Sequence, residues 1–320
     1  MKKLWILGLA LLLTIVMSGM RAEEKHNLRT ELAPSQDALA LDIGLHYDGS
    51  DLGSCVSTEK ITALLKAVQP FADTLRFYSA TGSDGNAARI AHSMGFKVIV
   101  SAWISGDDTA DRAEMDALIE MANDGTICLA LVGNETQLWN FCSMDTLLAD
   151  IAYVREGISA SVPVSTSENL SIVKASPALI AACDVLCVHC YPFWDDTDIN
   201  DLISQYTQLK AVAGDKECLI TETGFATEGK SNAGEEASAD YFEAVRSWSL
   251  SNNVFVVYFE GCDESAKEAG IEGESGAHFG FLDENLQLKP SYAMTDFFRS
   301  KGYSSDASAP AGFTRAIQRS

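Results

Sequence analysis

Positive charge is scarce in this chain of 320 residues: 23 lysines and arginines stand against 45 aspartates and glutamates, a formal net charge of −22. So acidic a surface repels phosphate backbones and anionic bilayers, which argues against nucleic acid or a membrane surface as the partner. It is compatible with a neutral substrate such as a sugar polymer, without selecting one. Proline is also sparse, at 7 residues, and no linker-like stretch or internal repeat divides the chain. A glycine-rich phosphate turn is missing: after the first predicted strand, Gly44-Leu45-His46-Tyr47 gives way to Asp48-Gly49-Ser50-Asp51. No clear acidic ribose partner ends the second strand, so a dinucleotide fold is excluded. No lysine ends a predicted strand, and a Schiff-base mechanism therefore lacks its residue.

The apolar run at the N-terminus, Leu4 to Met17 behind Lys2 and Lys3, is short for a membrane span. It reads as a secretory leader over residues 1–22, making the protein secreted or periplasmic; an uncleaved signal anchor is the alternative. All eight cysteines follow the leader, and an even count in an exported chain permits disulfides without fixing their pairing. Cys128, Cys187 and Cys218 fall inside apolar strand runs, where a buried thiol is the simpler reading. Cys187-Val188-His189-Cys190 superficially looks metal-binding, yet on a strand its cysteines point to opposite faces, so no metal or other cofactor is expected.

Beyond a polar stretch to Gln36, strand and helix patterns alternate. The spacing predicts strands over Leu39–Tyr47, Thr74–Tyr78, Lys97–Trp103, Ile127–Asn134, Val162–Thr166, Val185–His189, Cys218–Glu222 and Val254–Glu260. Amphipathic or alanine-rich segments separate them, and Lys289–Arg299 is the last predicted helix, with Pro290 in its first turn. Such alternation implies parallel sheet with right-handed crossovers. Eight units over residues 37–302 predict an α/β fold, a single-domain (β/α)₈ barrel, followed by a polar tail at 303–320.

In such a barrel the carboxyl ends of all strands face one cleft. Those ends carry Tyr47, Tyr78, Trp103, Asn134 with Glu135, Ser167, His189 with Tyr191, Glu222, and Glu260. Flat rings cover the apolar faces of pyranoses, and carboxylates or amides bind their hydroxyl rims, so the list suits a sugar site. Strands four and seven lie across the lumen from each other, which lets Glu135 and Glu222 flank a scissile bond. A solvated loop residue is the bland reading for either glutamate alone. For His46, His189 and His278 a structural role is the default, with His189 a candidate for the cleft lining. The acidic run Glu260, Asp263, Glu264, Glu268, Glu272 and Glu274 reads as a solvated loop, from which Glu260 and Glu264 are singled out.

Val132-Gly133-Asn134-Glu135 and Glu222-Thr223-Gly224 resemble the signature of glycoside hydrolase family 17, the β-1,3-glucanases, and the resemblance runs from Gly44 to Tyr292. Arg76-Phe77-Tyr78-Ser79, Ala102-Trp103-Ile104-Ser105, Pro163-Val164-Ser165-Thr166 and Val188-His189-Cys190-Tyr191-Pro192-Phe193-Trp194 extend it toward the bacterial branch, which includes glucan transferases. Phe259-Glu260-Gly261-Cys262-Asp263-Glu264, then Lys267 and His278-Phe279-Gly280, resemble the final-strand motif. So many motifs in the right order do not arise by chance. One departure stands out: Phe225-Ala226-Thr227 replaces the usual tryptophan, proline and small residue, keeping a ring face but losing an indole donor.

The resemblance implies Glu135 as general acid and then base, Glu222 as nucleophile and Asn134 as holder of the sugar 2-hydroxyl. Glu135 then needs a raised pKa so that it starts protonated, and Glu222 needs nearby donors, with Tyr191 a candidate. Tyr47, Tyr78, Trp103, Trp194 and Phe225 are expected at the sugar faces, although Tyr47 and Tyr78 equally suit capping the core and packing is the alternative for Trp103 and Trp194; Glu260, Glu264 and Lys267 are expected along the subsites or tuning the charge on Glu222. The expected activity is retaining hydrolysis of β-1,3-glucan by a monomer. Transglycosylation with the same carboxylates is the first alternative. A glycan-binding barrel without activity is the second; its mark, loss of a carboxylate or of Asn134, is absent here.

Overall fold

A computed structural model describes residues 28–43, 45, 56–158 and 161–304. Its core is a closed barrel of eight parallel strands in sequential order, β1 to β8, with helices alternating between them around the outside, a (β/α)₈ barrel. The strands are Leu39–Asp42, Ala72–Phe77, Lys97–Ala102, Leu129–Asn134, Val164–Asn169, Leu186–His189, Cys218–Thr223 and Val256–Tyr258. The leader, Tyr47, His46, Cys55 and the tail from 305 lie outside the described residues.

Alternation along each strand sorts the side chains into two layers. Ile99, Leu129, Leu131, Cys187, Leu219 and Val257 fill the lumen, where Leu28 of the helix Leu28–Glu31 and Leu32 just after it join them. The stretch before Gln36 is therefore partly a plug rather than simply polar. The opposite faces, including Val98, Val100, Val132, Val188 and Ile220, pack with the helices. Cys187 and Cys190 accordingly fall in different layers. The seven described cysteines are free thiols. Helix starts are fixed locally: Ser57, Asp107, Ser143 and Asp198 each accept from backbone N–H groups of the first turn.

Several boundaries differ from the sequence pattern, and three of the differences have a visible local cause. The fifth strand runs on to Asn169, with its hydroxyls satisfied inside the barrel: Ser165 donates to the Val185 carbonyl, and Ser167 bonds Thr221. The eighth stops at Tyr258, where the Glu260 N–H turns to the Phe279 carbonyl and that of Gly261 to Asp42. The final helix breaks into Pro290–Ala293 and Asp296–Ser300, since Thr295 is extended and caps the second piece.

Register shifts occur in β4 between Leu131 and Asn134, in the β6–β7 pairing at Val188/His189, and in the β7–β8 pairing between Ile220 and Thr223. Such irregularities re-aim side chains, and here they sit at the ends that carry Asn134, His189 and Glu222. Gly133, at φ +81°, makes the turn that precedes Asn134; Glu135, at φ 49°, also occupies the left-handed region, a strained backbone of the kind functional sites hold. Gly224, just past β7, meets the β8 end so closely that an added Cβ would lie 2.0 Å from the Phe259 carbonyl oxygen. Gly224→Ala must push these strand ends apart, and we expect a loss of about 2 kcal/mol or more. A urea midpoint equal to that of the parent protein would contradict this packing.

Candidate active site

Glu135 and Glu222 line one cavity of about 330 Å³ at the carboxyl ends of the strands, together with Asn134, Tyr78, Tyr191 and Trp194. Between the two carboxylates stands His189, at the end of β6 and buried. Its Nδ1 is 2.8 Å from Glu135 Oε1; its Nε2 is 3.2 Å from Glu222 Oε1, close enough to pair but off hydrogen-bond geometry. Both acids thus touch one imidazole.

Each carboxylate is held differently. Glu222 Oε1 accepts from Arg76 Nη1 at 2.7 Å, and its Oε2 accepts from the Tyr191 hydroxyl at 2.9 Å. Arg76, fully buried on β2, also donates to Asp42 on β1 at 3.0 Å and to the Asn134 side-chain oxygen. The Asn134 oxygen is thereby fixed, which turns its amide nitrogen away from the guanidinium. Glu135 Oε2 instead accepts from the indole N–H of Trp139, on its own loop, at 3.0 Å.

These contacts set the charges. Burial pushes Glu135 up, but the His189 hydrogen bond and charge, Trp139 and Arg76 together hold it below its ordinary 4.5. The sequence-based expectation of a raised value is therefore overturned, and the cause is the imidazolium beside it. Burial opposes charge on His189, yet Glu222 and Glu135 outweigh it and keep the ring above its ordinary 6.5. Asp42 is pushed up to about 7 by burial, with Arg76 pulling the other way.

A cavity walled by buried acids at the mouth of a parallel barrel is a glycosidase geometry, and the family comparison decides it. The BtgE/BtgC glycoside hydrolase domain matches residues 44–280. The chain belongs to that glycoside hydrolase family. This agrees with the resemblance to glycoside hydrolase family 17 carried by the motifs. A probable β-glucosidase, btgE, of Aspergillus clavatus is 25% identical over 259 residues, covering 75% of this chain and 45% of the relative. The chain thus spans about half the length of that curated relative. Among solved structures, a β-1,3-glucanosyltransferase from Rhizomucor miehei in complex with laminaritriose superposes with a TM-score of 0.69 at 22% identity, covering 80% of this chain and 97% of the other. An endo-laminarinase from Formosa gives 0.66 at 20% identity, covering 79% and 85%. At these identities the likeness is one of fold.

Within this family barrel, several sequence candidates stand back from the cavity. Trp103 is half-buried with its ring against Phe141, and its backbone N–H is tied to Glu114. Phe225 packs on Phe193 and Tyr241 at the edge of the core, as the smaller ring of this chain's motif allows. Glu260 and Lys267 form a buried ion pair, with the ammonium 4.5 Å from the centre of the Phe259 ring and 3.5 Å from Glu264. They underpin the wall through Phe259, which itself lines the cavity.

Other residues enter that the sequence did not single out. Glu272, assigned to a solvated run, lines the cavity and is pushed up to about 7 by burial, with Lys267 opposing and Glu222 and Glu135 adding to it. Glu168, on the extended end of β5, is buried and accepts from the Gln137 N–H, anchoring the loop that brings Trp139 to Glu135. A period-two pattern continuing through Ser165 and Ser167 is the signal that would have found it.

The His189–Glu135 pair gives a pH window for stability. His189, raised, contributes fully below its unfolded value of 6.5 and loses this as pH rises through the folded value; Glu135, depressed, contributes fully above 4.5 and loses this as pH falls. We expect the deficit in Tm of His189→Gln to be largest between those two values and to shrink on either side. A deficit independent of pH would contradict a charged pair.

Proposed function

We propose that the chain is a retaining glycosidase of β-1,3-linked, laminarin-type glucan, with Glu222 as nucleophile and Glu135 as acid and then base. The observation that carries this reading is one imidazole in contact with both carboxylates inside the cavity. Arg76 and Tyr191 fix the two oxygens of Glu222, which suits direct attack on an anomeric carbon better than holding a water. Glu135 faces the leaving-group oxygen. The proton it needs is carried on His189 Nδ1, one hydrogen bond away, so transfer along that bond yields neutral imidazole and a protonated acid. Water then repeats the displacement, with Glu135 as base.

The motifs and the β-1,3-glucan enzymes among the structural relatives support the linkage. Lys2 and Lys3 ahead of Leu4–Met17 support export. A second reading, transfer of the glycosyl group to another sugar, uses the same carboxylates. The partly exposed indole of Trp139, beside Glu135 on the leaving-group side, favours it by offering an acceptor a ring face.

On laminari-oligosaccharides we expect products released with β configuration by proton NMR. Glu222→Gln should lower kcat by about 10³-fold or more while leaving binding intact. Release of the α-anomer, or cleavage of cellulose with none of laminarin, would overturn the reading. Products longer than the starting sugar would move it to transfer.

A further inference from the structure

Arg76 Nη1 lies 2.7 Å from Glu222 Oε1 and 3.0 Å from Asp42 Oδ1, so one nitrogen serves carboxylates from two strands, β7 and β1. Asp42 is fully buried, and its Oδ2 has no hydrogen-bond partner among the described residues. It is not among the residues lining the cavity that holds Glu135 and Glu222, so it does not touch substrate there. A buried, half-satisfied carboxylate is costly, and Asp42 offsets that cost as the second counter-ion of the guanidinium that holds the nucleophile. Its charge is therefore tied to the site through Arg76.

We propose that Asp42 is a positioning residue: it keeps the charge of Arg76 balanced while Glu222 is esterified to the sugar. The inference rests on the nucleophile role given to Glu222 above. In the first step a bond forms between a Glu222 oxygen and C1. The glycosidic C1–O bond breaks with its electron pair, and the proton at Glu135 passes to the departing oxygen. Glu222 has then become a neutral ester, and a guanidinium with no access to water has lost one of its two counter-ions. Asp42, on the same Nη1, supplies the remaining one without any group moving. When water attacks C1 and the ester bond breaks, the electron pair returns to Glu222 and the sharing resumes.

The charged and titratable groups facing Asp42 are Arg76 on β2 and Tyr78 just beyond it, Glu222 on β7, and His189 on β6 with Tyr191 just beyond it. With Asp42 neutralised, the whole attraction of Arg76 falls on Glu222. That stabilises Glu222 as a carboxylate more than as an ester, which slows its attack and makes it a better leaving group.

The test is Asp42→Asn in the full chain, assayed above the value of about 7 to which burial pushes Asp42, with 2,4-dinitrophenyl β-laminaribioside, whose leaving group needs no proton. The transient phase reports formation of the intermediate, and steady turnover reports its breakdown. We expect formation to fall about tenfold, the weight of one pK unit, with breakdown unchanged or faster. Asp42→Ser, smaller and also uncharged, should give the same split and serves if the asparagine variant does not fold. Equal slowing of both steps, or no change in either, would overturn the proposal. Glu222→Gln is the control: if it too cleaves this substrate, the nucleophile assignment falls instead.

Discussion

The site depends on one buried guanidinium. Arg76 joins Asp42 of β1, Asn134 of β4 and Glu222 of β7, and it lies beside the Tyr78 ring, 4.7 Å from its centre. A cation so enclosed is tolerated only when its donors meet anions and acceptors in good geometry. That requirement runs in both directions. The barrel must close for strands one, four and seven to present their side chains to one point, and the irregular strand ends must turn those side chains inward.

Around that cation the charges are laid out as a chain: Arg76, Glu222, His189, Glu135, with alternating sign. Each member is stabilised by its neighbours against the cost of burial, and removing one leaves the next unpaired. The same arrangement divides the chemistry. Glu222 is held by two fixed donors, whereas Glu135 is held by a histidine that can release a proton and by an indole on a loop. Two carboxylates of the same residue type thereby acquire different work from their surroundings, as acid–base chemistry at neutral pH requires.

The barrel and both glutamates were legible in the sequence because strand length, buried-strand composition and a glutamate beside a glycine are local signals. The supporting shell was less so. Arg76 and Asp42 are register partners on adjacent strands, and nothing local in either strand says that Glu222 of β7 and Asn134 of β4 will meet the same guanidinium. The fifth strand extends beyond Thr166 because its polar residues find partners only across the closed barrel, Ser167 with Thr221 and Ser165 with the Val185 carbonyl. Glu272 was read with its acidic neighbours, since a run of like charge gives no hint that one member folds back into the cleft. Trp103 and Phe225 show the reverse: a ring near a strand end faces the sugar only if the packing beneath leaves it free, and here Phe141 and Phe193 take those faces.

The central claim is that Glu222 and Glu135 act on one anomeric carbon, with Glu222 forming the bond to it. Its most direct test is covalent trapping. A 2-deoxy-2-fluoro laminaribiosyl donor with an activated leaving group should accumulate as a glycosyl ester, and peptide mass spectrometry should place the label on Glu222. A label on any other residue, or steady turnover with no trapped species, would contradict the account.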